Sequence, residues 1–143
     1  MKYEEITLTD HKQFLRLLSV LEKDTAALEI VQICGEDANE PLIKAAMPFL
    51  LKKENVNKWH GTRCGGKGVP KYTIRADKAF FANLRRYEHF FANSRDEYGC
   101  DKVIETDFGL DDIAFLNKNG EPLFFTTTHE GYATIAADLL KKI

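Results

Sequence analysis

Hydrophobic residues recur every three to four positions through residues 9–22, where Phe14, Leu17, Leu18 and Leu21 fall on one stripe. That spacing predicts an amphipathic helix, with Thr9 or Asp10 placed to accept from its free N–H groups. Asp24 is placed to cap a second segment running to Gly35, but the β-branched Ile30, Val31 and Ile33 leave a strand open there. Asn39-Glu40-Pro41 opens a third helical stretch to Lys53, with Pro41 in the first turn, where its missing donor costs little. Pro48 lies inside that pattern and should kink or divide it. Residues 54–71 read as a loop, with four glycines, one proline and few apolar anchors.

Tyr72–Arg75 alternates as a short strand, and Asp77 precedes a helix expected over residues 78–92. Its stripe of Phe80, Leu84, Tyr87 and Phe91, widened by Phe81 and Phe90, faces a core, while Arg85, Arg86 and Glu88 face water. Val103–Thr106 and Asp111–Asn117 read as strands. Lys118-Asn119-Gly120 then supplies a tight hairpin turn, because Asn and Gly tolerate positive φ. Leu123–His129 returns as a strand, Gly131 stops it, and Ala133–Lys142 suits a closing helix. The pattern predicts a single α+β domain over residues 1–143. Its helical N-terminal half packs on a small antiparallel sheet from the C-terminal half.

Composition narrows the class. At 143 residues the chain suits one domain, burying about two-thirds of its unfolded surface. It is 44% hydrophobic and 29% charged, too apolar and too mixed in sign for disorder. The start, MKYEEITLTD, lacks the apolar run of a secretory signal, and Met47–Leu51 is far shorter than a membrane span. Cys34, Cys64 and Cys100 are odd in number and widely spaced, which fits free thiols in a reducing, cytoplasmic setting.

The net charge of −2 hides a split. Residues 54–92 carry 8 basic and 3 acidic side chains, whereas residues 93–143 carry 5 basic and 10 acidic ones. Opposed blocks of this kind either pack on each other or offer docking surfaces. In the basic block, Lys58, Arg63, Lys67, Lys71, Arg75 and Lys78, with Trp59 and Tyr72, would suit phosphate contact and base stacking by a loop over residues 58–78. No recognition-helix or RNA-binding signature accompanies them.

The catalytic motifs are partial. Gly61-Thr62-Arg63-Cys64-Gly65-Gly66-Lys67 has the glycine and lysine spacing of a phosphate-binding loop. Gly68 stands where a Mg²⁺-binding hydroxyl is needed, and Val69-Pro70 opposes the helix that should follow. His60 and Cys64 are one short-spaced ligand pair, with His89, Cys100 or His129 as distant partners; without a second pair they make a poor metal site. Cys64 beside Arg63 and Lys67 has cationic neighbours that favour a thiolate. His129 and Glu130 supply a proton-transfer pair at a polar strand end, although neighbouring strand residues point to opposite faces.

Trp59-His60-Gly61-Thr62 resembles the histidine-bearing strand of the ADP-ribosyltransferases. The resemblance implies that His60 would bind NAD, that Tyr72 or Tyr87 would stack on nicotinamide, and that Glu130 would be the catalytic acid. The apolar run before the histidine is missing.

Asp96, Glu97, Asp101, Glu105, Asp107, Asp111 and Asp112 place seven carboxylates within 17 residues. Such a strip suits docking of a cationic protein, with Phe108 as an apolar anchor. Thr106-Asp107-Phe108-Gly109, Asp112-Ile113-Ala114-Phe115 and residues 127–132 resemble the cytosolic immunity proteins of bacterial polymorphic and contact-dependent toxin systems. That resemblance implies stoichiometric blocking of a toxin domain. The expectation is therefore a non-enzymatic, cytoplasmic protein-binding module without metal or cofactor, with residues 96–112 as its docking strip. The alternatives are an NAD-using enzyme built on His60 and Glu130, and a nucleic-acid-binding module.

Overall fold

Two aspartates begin helices where the stripes predict them. Asp10 accepts from the Lys12 N–H at the head of α1 (His11–Asp24), which buries Phe14, Leu17, Leu18 and Leu21. Asp77 accepts from the Ala79 N–H at the head of α3 (Lys78–Leu84), and between them lies α2 (Pro41–Ala46). The computed structural model describes residues 1–8, 10–90 and 111–143 in full, together with the strand backbone of 92–95 and 101–105.

The strands are β1 (Tyr3–Ile6), β2 (Ala27–Val31), β3 (Leu50–Val56), β4 (Lys58–Trp59), β5 (Thr62–Arg63) and β6 (Val69–Arg75). They continue as β7 (Ala92–Arg95), β8 (Asp101–Glu105), β9 (Asp112–Leu116), β10 (Pro122–Thr127) and β11 (Tyr132–Ala136), before a last turn of helix, α4 (Ala137–Leu140). Seven of them form one sheet in the order β1-β11-β10-β9-β2-β6-β3. Every pairing in it is antiparallel. Two small hairpins, β4–β5 and β7–β8, stand apart from it.

This overturns the expected helical N-terminal half on a small C-terminal sheet. β1, β2, β3 and β6 all come from the first 75 residues, and the helices are short. Three stretches read as helical, or open between helix and strand, are strands. Residues 27–31 lie between β9 and β6, where Leu28 and Ile30 pair across to Phe115, Ile113, Ile74 and Tyr72. Pro48 does divide the third helical stretch: a short 3-10 turn at Met47–Phe49 follows α2, and the chain then leaves as β3. Ala133, Ile135 and Ala136 are buried while Tyr132 and Thr134 are half-exposed, so cross-strand pairing outweighs the local preference for helix.

The helix expected over 78–92 ends at Leu84. On a continued helix Phe90 would fall about 80° off the stripe of Phe80, Leu84 and Tyr87. Leaving the helix lets it enter the core, with ring centroids 4.9 Å from Phe14 and 5.0 Å from Phe124. That core covers one face of the sheet, where Leu28, Ile30, Ile74, Ile113, Phe115, Phe124 and Ile135 meet the apolar faces of α1, α2 and α3. The other face carries Glu29, Ala114 and Phe125 in one row across β2, β9 and β10. No helix of the described residues is long and apolar enough to cross a membrane.

Candidate functional site

The β4–β5 hairpin lies over that second face. Gly61 at its turn has φ +69°, and a Cβ there would sit 3.1 Å from the Phe125 ring, so glycine serves both the turn and the close approach. At the far end of the loop, Gly68 has φ +83°, and a Cβ would meet the Val56 carbonyl oxygen at 2.8 Å. Two of the glycines read as a loose loop, Gly61 and Gly68, are therefore needed by the backbone path. The phosphate-loop reading also falls, because residues 62–63 form a strand and Val69 begins another.

Three side chains fasten the hairpin or the strands below it. The Trp59 indole N–H donates to Asp112 Oδ2 at 2.8 Å, in a buried setting. His60 Nε2 is hydrogen-bonded to Glu29 Oε1 at 2.8 Å, and the imidazole lies 5.5 Å from the Phe125 ring centroid. Lys71 Nζ bridges Glu29 at 2.8 Å and Glu54 at 3.2 Å, and Glu54 also meets Lys52 at 3.1 Å. Burial alone would raise the Glu29 carboxyl. The hydrogen bonds and charges of His60 and Lys71 outweigh it and pull the pKa down to about 2. The same two carboxylates, Glu29 and Glu54, hold Lys71 above its usual range despite its desolvation.

Asp111 and Asp112 do not stand outward as the acidic strip requires; they are 5% and 2% exposed. Asp112 takes the Trp59 indole and the Thr128 N–H at 2.8 Å, and burial still raises its pKa. Asp111 Oδ2 and Glu40 Oε1 are both buried without a donor. Burial first, and the Glu40 carboxyl second, push Asp111 up to about 9. One proton shared between the two carboxyls gives each orphaned oxygen a partner. Gln32 completes this corner: its amide donates to Glu40 Oε2 at 2.9 Å, and its carbonyl accepts from the Tyr72 hydroxyl at 2.8 Å.

The remaining members of the proposed sites are scattered. Asp96, Glu97, Asp107 and Phe108 lie outside the described residues, as do Cys100 and Phe91. Asp101 and Glu105 are on β8, where Asp101 pairs with Arg95 and Glu105 with Ala92. His129 and Glu130 sit together on an exposed 3-10 turn, 3.7 Å apart. His60 takes Glu29 as its carboxylate. A cleft of about 370 Å³ is lined by Glu29, Lys58, Trp59, His60, Gly61 and Lys71, and Glu130 does not line it. The nucleic-acid reading loses its stackers, because Trp59 and Tyr72 are 9% and 2% exposed. Arg75 is spent on Asp77 at 2.8 Å, and Lys71 on its two glutamates. Among the described residues no three His, Cys, Asp or Glu are placed to hold a metal ion.

Lys58 and Arg63 are directly opposite each other in the β4–β5 ladder, both exposed, and line a cleft of about 290 Å³ with Asn57 and Cys64. Next to them in sequence, β3 is the outermost strand of the sheet. Its approach exposes Met47, Leu50 and Leu51 at 38%, 38% and 62%. Glu29 was missed by sequence reasoning, and Lys71 was read as a phosphate contact instead of the partner of Glu29 and Glu54. Their signal was a lone acid between Leu28 and Ile30, and a lysine on the matching face of β6, the strand paired with β2. The chain matches no protein-family model, no curated protein and no solved structure.

Proposed function

We propose that this protein is a non-enzymatic binding module that captures a protein partner through the open β3 edge of its sheet. The observation that carries the reading is the grouping of Met47, Leu50 and Leu51. They are three of the five exposed large apolar residues among those described, and all lie within five positions at the start of an edge strand whose outer side has no ladder partner among the described residues. A free edge offers main-chain N–H and C=O groups to an incoming chain, and an apolar border rewards its burial. The polar groups with chemistry to offer support the same reading, because Glu29, Lys71, His60 and Asp112 are engaged in holding the hairpin and sheet together.

The resemblance to immunity proteins gives the capture a concrete form, equimolar blocking of a toxin domain. A photo-crosslinking residue in place of Leu51 tests the reading in cells. The expected result is one crosslinked protein, recovered as a one-to-one complex and absent when the crosslinker replaces Lys142. Identical patterns from the two positions would overturn it. Charge reversal by Asp101→Lys with Glu105→Lys then reports whether the acidic segment meets a cationic surface of the partner, through a weaker complex whose loss with salt is shallower than that of wild type.

A further inference from the structure

We infer that the β3 edge is built for an extended, acidic partner segment, added as an eighth strand with its acidic end against Lys58 and Arg63. The inference rests on the protein-binding reading and names the chemistry of what binds.

Consider the charges along the edge. Lys52 and Lys53 stand in mid-strand, held by Glu54 and Glu36 respectively. Leu51 is the extra residue where the β3–β6 register slips between Leu50 and Lys52. Lysines and a bulge on an edge strand deter indiscriminate pairing. They also act against a second copy of this chain, since antiparallel self-pairing centred on Lys53 sets the two Lys53 side chains against each other. A strand carrying acids meets no such penalty, because opposite charges directly across a ladder are favourable.

The strand then runs through Asn57 into Lys58, whose cross-strand neighbour is Arg63. Two cations opposite each other on a two-residue ladder destabilise it. Neither has an acidic partner among the described residues. The Asn57 carbonyl accepts from the Cys64 N–H at 2.7 Å, closing the base of the hairpin, so both cations border the cleft at the end of β3. Fold stability does not account for this pair, whereas an anionic ligand would. The edge is thus apolar at the Met47–Leu51 end and cationic at the Lys58–Arg63 end. A protein segment fits better than nucleic acid: the exposed apolar residues of this edge, Met47, Leu50 and Leu51, are aliphatic, and Trp59 is committed to Asp112.

The test uses four probes with the intact protein. Two are ten-residue synthetic peptides, one for each chain direction, with leucines at one end, alternating threonine and valine, and glutamates at the other. The third is their counterpart with lysine for glutamate, and the fourth is a twelve-nucleotide oligothymidylate. Amide chemical shifts should move along residues 52–58 with one of the glutamate peptides, which binds at least tenfold tighter than its lysine counterpart. N-methylation of alternate peptide amides should cost a further tenfold, because it removes ladder donors. Lys58→Glu with Arg63→Glu, at exposed positions, should reverse the preference between glutamate and lysine peptides. Equal binding of both peptides, shifts confined to other strands, tighter binding of the oligothymidylate, or concentration-dependent self-association through β3 would each overturn the inference. Failure here is distinguishable from failure of the broader reading. If the crosslinked partner of Leu51 is captured unchanged by the doubly reversed variant, the edge binds protein but not through an acidic end.

Discussion

Replacing Asp111 by asparagine should convert a pH-sensitive fold into a flatter one. In the folded protein the Asp111 carboxyl is held up to about 9, by burial first and by Glu40 second, whereas its ordinary value is 3.8. Between those values the folded chain keeps a proton that the unfolded chain releases. Stability from this group is therefore full below about pH 4, falls as pH rises, and stops falling above about 9. One proton of difference is worth about 1.4 kcal/mol per pH unit, so wild type should lose about 4 kcal/mol between pH 5 and pH 8 through this group. That is a large share of the 5–15 kcal/mol typical of a domain. Asp111→Asn has nothing to titrate, and its amide can donate to Glu40 Oε1 where the shared proton stood. Urea unfolding at half-unit pH steps, with the denaturant slope confirmed equal in both proteins, gives the comparison. Wild-type and Asp111→Asn curves that run parallel from pH 5 to pH 8 would mean that Asp111 is ionised, and the proton-sharing assignment would fall.

The ion pairs under the hairpin predict the opposite limb. Glu29 has a folded value of about 2 against 4.5, so its stabilisation is present above pH 4.5 and lost as pH falls towards 2. Glu29→Gln should cost on the order of 3 kcal/mol at pH 7 and far less at pH 2.5, by the same linkage; equal losses at the two pH values would contradict the pairing. Gly61→Ala should destabilise by about 1–3 kcal/mol, since the new Cβ needs both a left-handed backbone and space against Phe125. A thermal melt unchanged from wild type would show that the hairpin does not press on the sheet. Phe90→Ala empties a site touching Phe14, Phe115 and Phe124, and should cost about 3–5 kcal/mol in urea unfolding; a loss below about 1 kcal/mol would remove Phe90 from the core.

Local signals were legible wherever a short-range contact decides the outcome. The stripe from Phe14 to Leu21, the aspartate caps, the break at Pro48 and the turn at Asn119-Gly120 can each be read within a few residues. The candidate site was legible only in part. Trp59 and His60 stood out as unusual residues in a glycine-rich segment. Their partners, Asp112 and Glu29, are 53 and 31 positions away, and no spacing rule joins them. The acidic strip failed at Asp111 and Asp112 for the same reason: sequence counts charges, and burial decides which of them face water.

By itself, then, the sequence determined where α1, α2 and α3 begin, where the chain turns at Asn119-Gly120 and which residues are apolar enough to make a core, because these depend on neighbours along the chain. The tertiary structure decided that Ala27–Val31, Leu50–Val56 and Tyr132–Ala136 are strands, since ladder partners distant in sequence outweigh a local preference of a few tenths of a kcal/mol per residue. It also decided which charges are spent and which are free. Lys71 is neutralised beneath the hairpin while Lys58 and Arg63 face each other with no acidic partner among the described residues, a difference set by position in a folded sheet and not by residue type.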